Sequence, residues 1–381
     1  MYIHIPFCVK KCDYCDFLSC PVDDETKEKY VTALYKEIEW AKECLEEYQV
    51  DTVFIGGGTP SILDGQQIEK IIESLRRAAK ISDDAEITIE CNPGTLDKEK
   101  LEAYKSAGIN RISLGLQSAN DDELKTIGRI HNYDEFVESY KMAREARFKN
   151  INVDLMSALP GQTVESYKET LEKIVALNPE HISAYSLIVE DETPLKDRVE
   201  SGSVELPNED DEREMYYLTK EILEKNNYKR YEISNYAKDG YECRHNIGYW
   251  KRVEYLGFGV GAASLFKEKR FSNTSDITRY INMLERDVMN ADEVWESINE
   301  SEEILQPKDE MEEFMFLGLR MTDGISKSDF KEIFGKDIDS VYGDVLEKLE
   351  KQGLICLNDD IIKLSDKGID ISNIVLANFL L

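Results

Sequence analysis

The sequence predicts an α/β protein whose first half is a full or partial (TIM-like) barrel of parallel β/α units. Three observations lead to this prediction: short apolar segments typical of strands, longer segments with the helical period between them, and glycine or proline where those helices should end. Strands that alternate with helices of this length form parallel pairs. Six such strands occur in the first half of the 381-residue chain, which favours a barrel over an open sheet and leaves its closure undecided.

The elements of this half follow one another without long gaps. The predicted strands are Ile3–Ile5, Thr52–Ile55, Glu86–Glu90, Arg111–Leu116, Asn152–Met156 and His181–Leu187. The predicted helices are Glu25–Glu47, Gln66–Ala79, Lys98–Ala107, Asp134–Arg147 and Val164–Leu177. Gly108 and Pro179 each follow a helix at the position where such residues end one.

The pattern changes after about residue 200. A helix is predicted at Asp210–Lys225, and a glycine-rich apolar segment follows at 256–263. From about residue 306 the predicted order is helix, helix, helix and hairpin: Asp309–Arg320, Ser326–Phe334, Ser340–Gln352, Leu354–Leu357 and Ile361–Leu364. This order suggests a small winged-helix-like appendage. We therefore predict a barrel at 1–200, an α/β extension at 201–300 and a mainly helical C-terminal α+β domain at 301–381.

Composition and charge exclude several classes of protein. The chain has 77 acidic and 47 basic residues, a formal net charge of −30 that opposes the approach of nucleic-acid phosphates. No apolar run approaches the ~18 residues of a transmembrane helix. The N-terminal segment lacks the basic and apolar regions of a signal peptide. We expect a cytoplasmic protein with no nucleic-acid partner.

Cysteines are concentrated near the N-terminus. Cys8, Cys12 and Cys15 have the spacing C-x-x-x-C-x-x-C directly after the first predicted strand. Without a signal peptide, such clustering indicates metal or iron–sulfur ligation rather than disulfides. A [4Fe–4S] cluster held by three cysteines leaves one iron open, whereas structural zinc needs a fourth ligand, for which Cys20 is nearest. The iron–sulfur interpretation is favoured; zinc and unliganded thiols are the alternatives.

A run of three glycines ends the second predicted strand, at 56–58, before Thr59-Pro60. Backbone without side chains lets a ligand come close, and its N–H groups can bind a carboxylate. The spacing matches neither a dinucleotide-binding loop nor a Walker A loop. The alternative is a tight turn with no ligand.

Polar residues stand where other predicted strands end. They are Glu90, Gln117 and Asp154, with Arg129 in a later loop. The carboxyl ends of barrel strands are the usual place for active-site groups, and a buried carboxylate is costly unless it is paired or bonded. We expect these residues at one site; capping or pairing inside the barrel is the alternative.

The three-cysteine spacing, with Tyr14 before the third cysteine and a β/α barrel after it, resembles the radical S-adenosylmethionine (radical SAM) superfamily. The resemblance implies that Cys8, Cys12 and Cys15 hold a [4Fe–4S] cluster whose open iron binds the methionine part of SAM. It also implies that reduction of the cluster by an electron donor cleaves SAM to a 5′-deoxyadenosyl radical. The protein then positions and shields the reactive atom.

Further segments narrow the resemblance. YIHIPFC, GGGTP, the Glu90 strand, RISLGLQS, GRIH and NVDLMSALPGQ occur in order and are similar to the oxygen-independent coproporphyrinogen III oxidases and the related HemW-type heme chaperones. This resemblance implies that nine residues line the SAM site: Tyr2, Tyr14, Gly57, Gly58, Thr59, Glu90, Gln117, Arg129 and Asp154. Glu90 is expected on the ribose hydroxyls, and Arg129 and Asp154 near the polar ends of the cofactor.

Three features favour the chaperone type. Oxidases carry another cysteine two positions past the third, where this chain has Phe17. The substrate-binding segment that precedes the first strand in oxidases is not expected here. The segment Cys243–Trp250 resembles the HNxxYW motif of the chaperones. We therefore predict a heme chaperone that delivers heme to acceptor proteins and forms a homodimer. The alternatives are a coproporphyrinogen III oxidase and another radical SAM enzyme.

The HNxxYW segment also supplies candidate heme residues. His245 is one of four histidines, and a neutral imidazole is a good axial ligand for heme iron. Tyr249 and Trp250 can pack on an apolar macrocycle. The alternative is a core histidine beside ordinary core aromatics.

Overall fold

The computed structural model describes residues 1–285 and 291–381, and the side chains of 291–294 are also outside the description. Six parallel strands form the first half: β1 (Tyr2–Ile5), β2 (Gln49–Gly57), β3 (Lys80–Cys91), β4 (Arg111–Gln117), β5 (Asn150–Ser157) and β6 (His181–Ser186). They lie side by side in the order of the sequence. This order is that of a β/α barrel, because an open doubly wound sheet reverses its strand order at a switch point. The six predicted repeats are confirmed.

Seven helices connect these strands. They are α1 (Asp24–Trp40), α2 (Lys42–Leu45), α3 (Gly65–Ala78), α4 (Lys98–Ala107), α5 (Asp121–Thr126), α6 (Tyr133–Glu145) and α7 (Val164–Leu177), with a 3₁₀ turn at Pro60–Ile62. Consecutive helices α1, α3, α4 and α6 contact one another, which places them on one side of the sheet. Capping boxes at Asp64, Asn132 and Thr163 begin α3, α6 and α7. Gly108 ends α4 in the left-handed conformation, as predicted.

The predicted bounds differ most from the structure at one helix and one strand. The helix predicted at Glu25–Glu47 is interrupted at Ala41, where α1 gives way to α2. Strand β3 begins at Lys80, well before the predicted Glu86. Its first residues pair with the start of β2, and the register then shifts between Val50 and Thr52. The shift interrupts the two-residue period, so the sequence pattern does not reveal this extension.

Short strands extend the sheet at both edges. Antiparallel β7 (Lys229–Arg230) and β8 (Asn235–Ala237) lie beside β6, and β9 (Gly257–Phe258) pairs in parallel with β1. Helices α8 (Pro194–Glu200), α9 (Glu209–Lys225) and α10 (Arg244–Trp250) belong to this part of the chain. Strands of two or three residues are too short to show a period, which is why the sequence did not predict them.

The remaining chain forms two small sheets. Strands β10 (Ala263–Phe266), β11 (Lys269–Asn273) and β12 (Asn299–Ile304) are antiparallel, with α11 (Ile277–Leu284) and α12 (Ala291–Ile298) between the last two. The C-terminal elements are α13 (Pro307–Gly318), β13 (Ile325–Ser326), α14 (Lys327–Phe334), α15 (Ile338–Lys351), β14 (Ile355–Leu357), β15 (Ile361–Leu364), α16 (Asp366–Asp370), α17 (Ser372–Leu376) and a 3₁₀ turn at Ala377–Phe379.

The C-terminal sheet has the order β13-β15-β14. The hairpin predicted at Leu354–Leu364 is confirmed as β14 and β15, and the complete order of helices and strands is winged-helix-like. This part packs around its own apolar core, which extends from Met311 to Phe379. The division of the chain at residues 200 and 300 stays a prediction. Among the described helices, none has the length and apolar character needed to cross a bilayer.

Candidate functional site

A cavity of about 330 Å³ lies at the carboxyl ends of strands β2 to β5. Its volume is within the range of small-molecule sites. The structure brings eleven of the residues selected from the sequence to its wall: Cys8, Cys12, Tyr14, Cys15, Gly57, Gly58, Thr59, Glu90, Gln117, Arg129 and Asp154. Parallel strands present their carboxyl ends at one edge, which explains why residues so far apart in sequence meet here.

Tyr2 lies apart from this wall. Its hydroxyl is 2.9 Å from Nδ1 of His4, and its ring stacks on Phe54 with 6.4 Å between the ring centroids. Burial and the nearby charge of Glu90 raise the pKa of the Tyr2 phenol. Tyr2 therefore packs behind the cavity, and a direct contact with a ligand is not supported by this geometry.

The cysteine loop is closed at its base by two backbone hydrogen bonds. The N–H of Cys20 donates to the carbonyl of Pro6 (3.0 Å), and the N–H of Cys8 donates to the carbonyl of Cys20 (3.2 Å). Cys20 belongs to this base and not to the cavity wall. The wall carries the thiols of Cys8, Cys12 and Cys15 and, at the end of β3, that of the buried Cys91. Because Cys20 is not on this wall, the geometry does not support zinc with Cys20 as fourth ligand. Within residues 1–285 and 291–381, no three His, Cys, Asp or Glu side chains form a preassembled metal site.

The tip of the same loop is held by Asp13. Nη1 of Arg198 donates to Oδ2 of Asp13 (2.7 Å), and the N–H of Leu195 donates to its carbonyl (2.8 Å). The Asp13 N–H in turn donates to the carbonyl of Ile127 (3.1 Å). These contacts fix the loop against α8 and the end of α5, so that the three thiols share one wall.

Arg129 connects the cysteine loop with the strand ends. Its Nη1 donates to Sγ of Cys12 (3.6 Å), and its Nη2 donates to Oδ1 of Asn92 (3.0 Å). Asn92 in turn donates to Oγ1 of Thr59 (2.9 Å), which is 3.4 Å from Sγ of Cys8. Arg129 therefore links the thiol of Cys12 to the ends of strands β2 and β3. Among the described residues, the buried Nε of Arg129 has no hydrogen-bond partner.

The carboxyl groups of Glu90 on β3 and Asp154 on β5 face the cavity, with β4 between their strands. Oε2 of Glu90 accepts the N–H of Gly57 (3.1 Å), and burial together with the charge of Asp154 raises the pKa of Glu90 to about 8. Asp154 accepts hydrogen bonds from Ser113 (3.0 Å) and Asn152 (2.7 Å), and burial raises its pKa as well. Carboxyl groups with perturbed pKa values in a cleft are typical of ligand sites.

The expected role of the glycine run as a set of N–H donors to a ligand stays a prediction that this geometry does not support. The N–H groups of Gly57 and Gly58 and of the following Thr59 already have protein acceptors, at 3.1, 2.9 and 2.8 Å: Glu90, the Ile5 carbonyl and the Phe7 carbonyl, respectively. The glycines instead provide space. At Gly57 the φ angle is +111°, and a Cβ would lie 2.6 Å from the ring of His4. They let β1 and the cysteine loop pack against β2.

Sequence reasoning missed two features of the site. Asn92, which joins Arg129 to Thr59, follows Glu90 by two residues, so its place after a strand end was the available signal. The mouth of the cavity has an apolar rim of Phe17, Tyr185 and Ile188, of which Phe17 is 63% exposed and Ile188 67% exposed. Exposed apolar side chains around a cavity mark an interaction site.

His245 lies elsewhere, where α10 covers the amino-terminal parts of β2 and β3. Its Nδ1 is 2.8 Å from Oγ1 of Thr52, its Nε2 is 2.9 Å from the hydroxyl of Tyr249, and its ring stacks on Phe54. Burial lowers its pKa well below the ordinary value for histidine. Because both ring nitrogens have partners, this geometry favours a core histidine over a heme ligand.

The other two heme candidates are also packed in the protein. Tyr249 meets Tyr255 edge to face with 4.7 Å between the ring centroids, and the guanidinium of Arg320 lies over the ring of Trp250 at 4.3 Å. Neither aromatic ring faces the cofactor cavity. A heme role for His245, Tyr249 and Trp250 stays a prediction that this geometry does not support.

Family models match both ends of the chain. The radical SAM superfamily matches residues 2–174, and the HemN C-terminal domain matches residues 305–371. The solved structure of coproporphyrinogen III oxidase (HemN) from Escherichia coli superposes with a TM-score of 0.83 at 23% sequence identity. It covers 100% of this chain and 89% of the oxidase, which confirms the predicted fold class.

Curated relatives match over the whole length. The heme chaperone HemW of Bacillus subtilis (strain 168) is 37% identical over 380 residues, covering 100% of this chain and 98% of the relative. HemW of Lactococcus lactis subsp. lactis (strain IL1403) is also 37% identical, covering 100% and 97%. The chain therefore belongs to the radical SAM superfamily and, within it, to the family of the HemW heme chaperones.

Proposed function

We propose that this protein is a heme chaperone that holds a [4Fe–4S] cluster and SAM in the cavity, binds heme, and delivers heme to acceptor proteins. The full-length similarity to the HemW chaperones of B. subtilis and L. lactis carries the proposal. Phe17, which stands where an oxidase is expected to have a further cysteine, agrees with it. An electron donor for the cluster, a homodimer and a cytoplasmic location are kept as predictions.

The donor set of the cavity fits the two cofactors. Cys8, Cys12 and Cys15 supply three thiolates for the cluster, and the buried Nε of Arg129 is free among the described residues to bind an anionic group. When bound and reduced, this pair of cofactors supplies a 5′-deoxyadenosyl radical. Glu90 would accept hydrogen bonds from the ribose hydroxyls of SAM, as the family resemblance implies.

The rim of the cavity fits heme. Heme combines a large apolar ring with two carboxylates. Phe17, Tyr185 and Ile188 offer an exposed apolar surface, and Lys10 and Lys11 on the same rim are exposed cations for the carboxylates. Asp16 and Glu190 also lie on this rim and disfavour a ligand with a larger negative charge. We therefore place heme at the mouth of the cavity.

The test uses protein reconstituted anaerobically with iron and sulfide. Heme titration should give saturable binding, and incubation with coproporphyrinogen III, SAM and a reductant should give no protoporphyrinogen. Protoporphyrinogen formation would overturn the chaperone proposal in favour of the oxidase, the second candidate, whose fold this chain shares.

Matched variants test the place of heme. We expect Ile188→Ser to weaken heme binding about tenfold, because burying one such side chain is worth ~1.5–3 kcal/mol. Ile333→Ser is the control, since Ile333 is 59% exposed on α14. Equal heme affinities of the two variants would contradict a site at the cavity mouth.

A further inference from the structure

His181 is the first residue of β6, and its side chain is completely buried inside the barrel. Its Nδ1 is 2.6 Å from Oδ1 of Asn152, and its Nε2 is 2.8 Å from the hydroxyl of Tyr231. The sequence predicted only that this residue begins a strand. A histidine with two short polar contacts in a barrel interior holds its neighbours in fixed orientations.

The orientation of Asn152 decides which nitrogen of His181 carries the proton. Nδ2 of Asn152 donates to Oδ1 of Asp154 (2.7 Å) and to Oγ of Ser113 (2.7 Å). The reversed amide would place its oxygen 2.7 Å from a carboxylate oxygen, which is repulsive. The amide oxygen therefore faces His181 and Ser183, whose hydroxyl donates to it (3.2 Å). His181 must donate from Nδ1.

The second nitrogen of His181 is an acceptor. The hydroxyl of Tyr231 accepts the N–H of Cys243 (3.3 Å), and it donates its own proton to Nε2 of His181. Burial and the positive charge of Arg111 lower the pKa of His181 well below its ordinary value, so the ring is neutral. One neutral tautomer therefore satisfies both contacts.

Strand register explains why these groups meet. Asn152 and Asp154 are two residues apart on β5 and point to the same face of the sheet. His181 is paired with Asn152, and Ser183 with Asp154, across β5 and β6. On the other side, Ser113 of β4 is paired with Asn152 and donates to Oδ2 of Asp154 (3.0 Å). Asp154 reaches the cavity wall with both carboxylate oxygens already oriented.

We propose that His181 is a positioning residue for SAM: through Asn152 it holds the Asp154 carboxylate in the orientation that meets the bound cofactor. The proposal rests on the proposed function, which places SAM in this cavity. His181 itself does not touch the cavity wall and acts only through its neighbour.

Two substitutions at the same position separate positioning from packing. In His181→Asn the amide nitrogen takes the place of Nδ1 and keeps the hydrogen bond to Asn152. In His181→Gln the longer amide reaches the place of Nε2 and keeps the contact with Tyr231 instead. Both variants lose the ring, so both are expected to be destabilised to a similar extent.

The main measurement is the dissociation constant of SAM for the reconstituted protein, by equilibrium binding, together with thermal unfolding. We expect His181→Gln to weaken SAM binding about tenfold, because the Asn152 amide loses the hydrogen bond that fixes its orientation toward Asp154. We expect His181→Asn to stay within about threefold of the wild type. Equal SAM affinities of the two variants would overturn the positioning role, whereas a wild type that binds no SAM would overturn the proposed function and the role of Asp154 with it.

A second measurement uses only the wild-type protein, so it does not depend on the stability of a variant. In wild-type protein with the oxidised cluster and ¹⁵N-labelled histidine, the His181 ring should show one protonated nitrogen, Nδ1, at neutral pH. A spectrum in which all four histidines are protonated on Nε2 or on both nitrogens would also overturn the proposal.

Discussion

The cofactor cavity and the region around α10 both contain residues whose types suggest chemistry, but Arg129 in the cavity and His245 on α10 differ in whether their polar atoms already have partners. At the cavity, among the described residues, Nε of Arg129 lacks a partner, and the apolar rim at Phe17 and Ile188 is exposed. At α10, His245 has partners on both ring nitrogens, and Glu86 accepts from the N–H groups of Arg244 and His245 (both 3.1 Å).

The difference shows what makes a set of reactive residues a binding site. A ligand has to replace the hydrogen bonds that a buried group loses, so a histidine with a partner on each ring nitrogen binds a new ligand only by giving up at least one of those hydrogen bonds. A buried donor without a partner, such as Nε of Arg129 among the described residues, has no such bond to lose. Both regions contain polar and aromatic residues. They differ in whether a polar atom is left without a protein partner and can therefore bind a ligand.

The largest effect is expected at the cysteines. Replacing Cys8, Cys12 or Cys15 by Ser should abolish the iron–sulfur absorption of the anaerobically reconstituted protein, because each thiolate of a three-cysteine site is required. Cys20→Ser should retain it, since Cys20 lies at the base of the loop. Loss of absorption in Cys20→Ser, with retention in one of the others, would show that the cavity wall is not the cluster site.

The next effect concerns stability at α10. We expect His245→Ala to lower the free energy of unfolding by about 2–4 kcal/mol, because it removes a buried ring and two hydrogen bonds. Denaturant unfolding measures this change. Heme affinity of the folded variant should be unchanged. A variant of normal stability that has lost heme would reverse the comparison and make α10 a heme site.

The third prediction concerns Gly57 in the glycine run that ends β2. We expect Gly57→Ala to destabilise the protein by ~2 kcal/mol more than Gly161→Ala. Both glycines have positive φ angles, but a Cβ at Gly57 would lie 2.6 Å from His4, while nothing lies within 4 Å of one at Gly161. Thermal unfolding of the two variants separates backbone strain from crowding. Equal destabilisation would mean that β1 can move away from β2 without cost.

The smallest effect is a pH dependence. The pKa of Glu90 is raised from 4.5 to about 8, so the folded protein keeps a proton that the unfolded chain loses, and stability falls as the pH rises through this window. Two other carboxyl groups also have raised pKa values: burial raises the pKa of Glu37 to about 7, and it raises the pKa of Asp154 as well. Glu90→Gln should therefore remove ~1 kcal/mol of the decline between about pH 7 and 9. An unchanged decline would show that Glu90 is well solvated.

The sequence predicted the site correctly where a local pattern identifies a strand end and the parallel topology brings the strand ends together. Glu90, Gln117 and Asp154 were placed together because parallel strands end at one edge. Strands β7 to β9 were missed because two or three residues carry no periodicity. The role expected for His245 was not supported because its partner Thr52 is 193 residues away in the chain, a distance over which the motif holds no information.

The sequence by itself determined the repeating β/α units, the three cysteines of one loop and the family, since each depends on residue order or spacing. Only the tertiary structure decided which polar atoms face open space: it turned the glycine N–H groups inward, enclosed His245, and connected His181 to Asp154 through Asn152. The physical reason is that the state of a polar group depends on every neighbour within hydrogen-bond distance, and those neighbours come from distant strands.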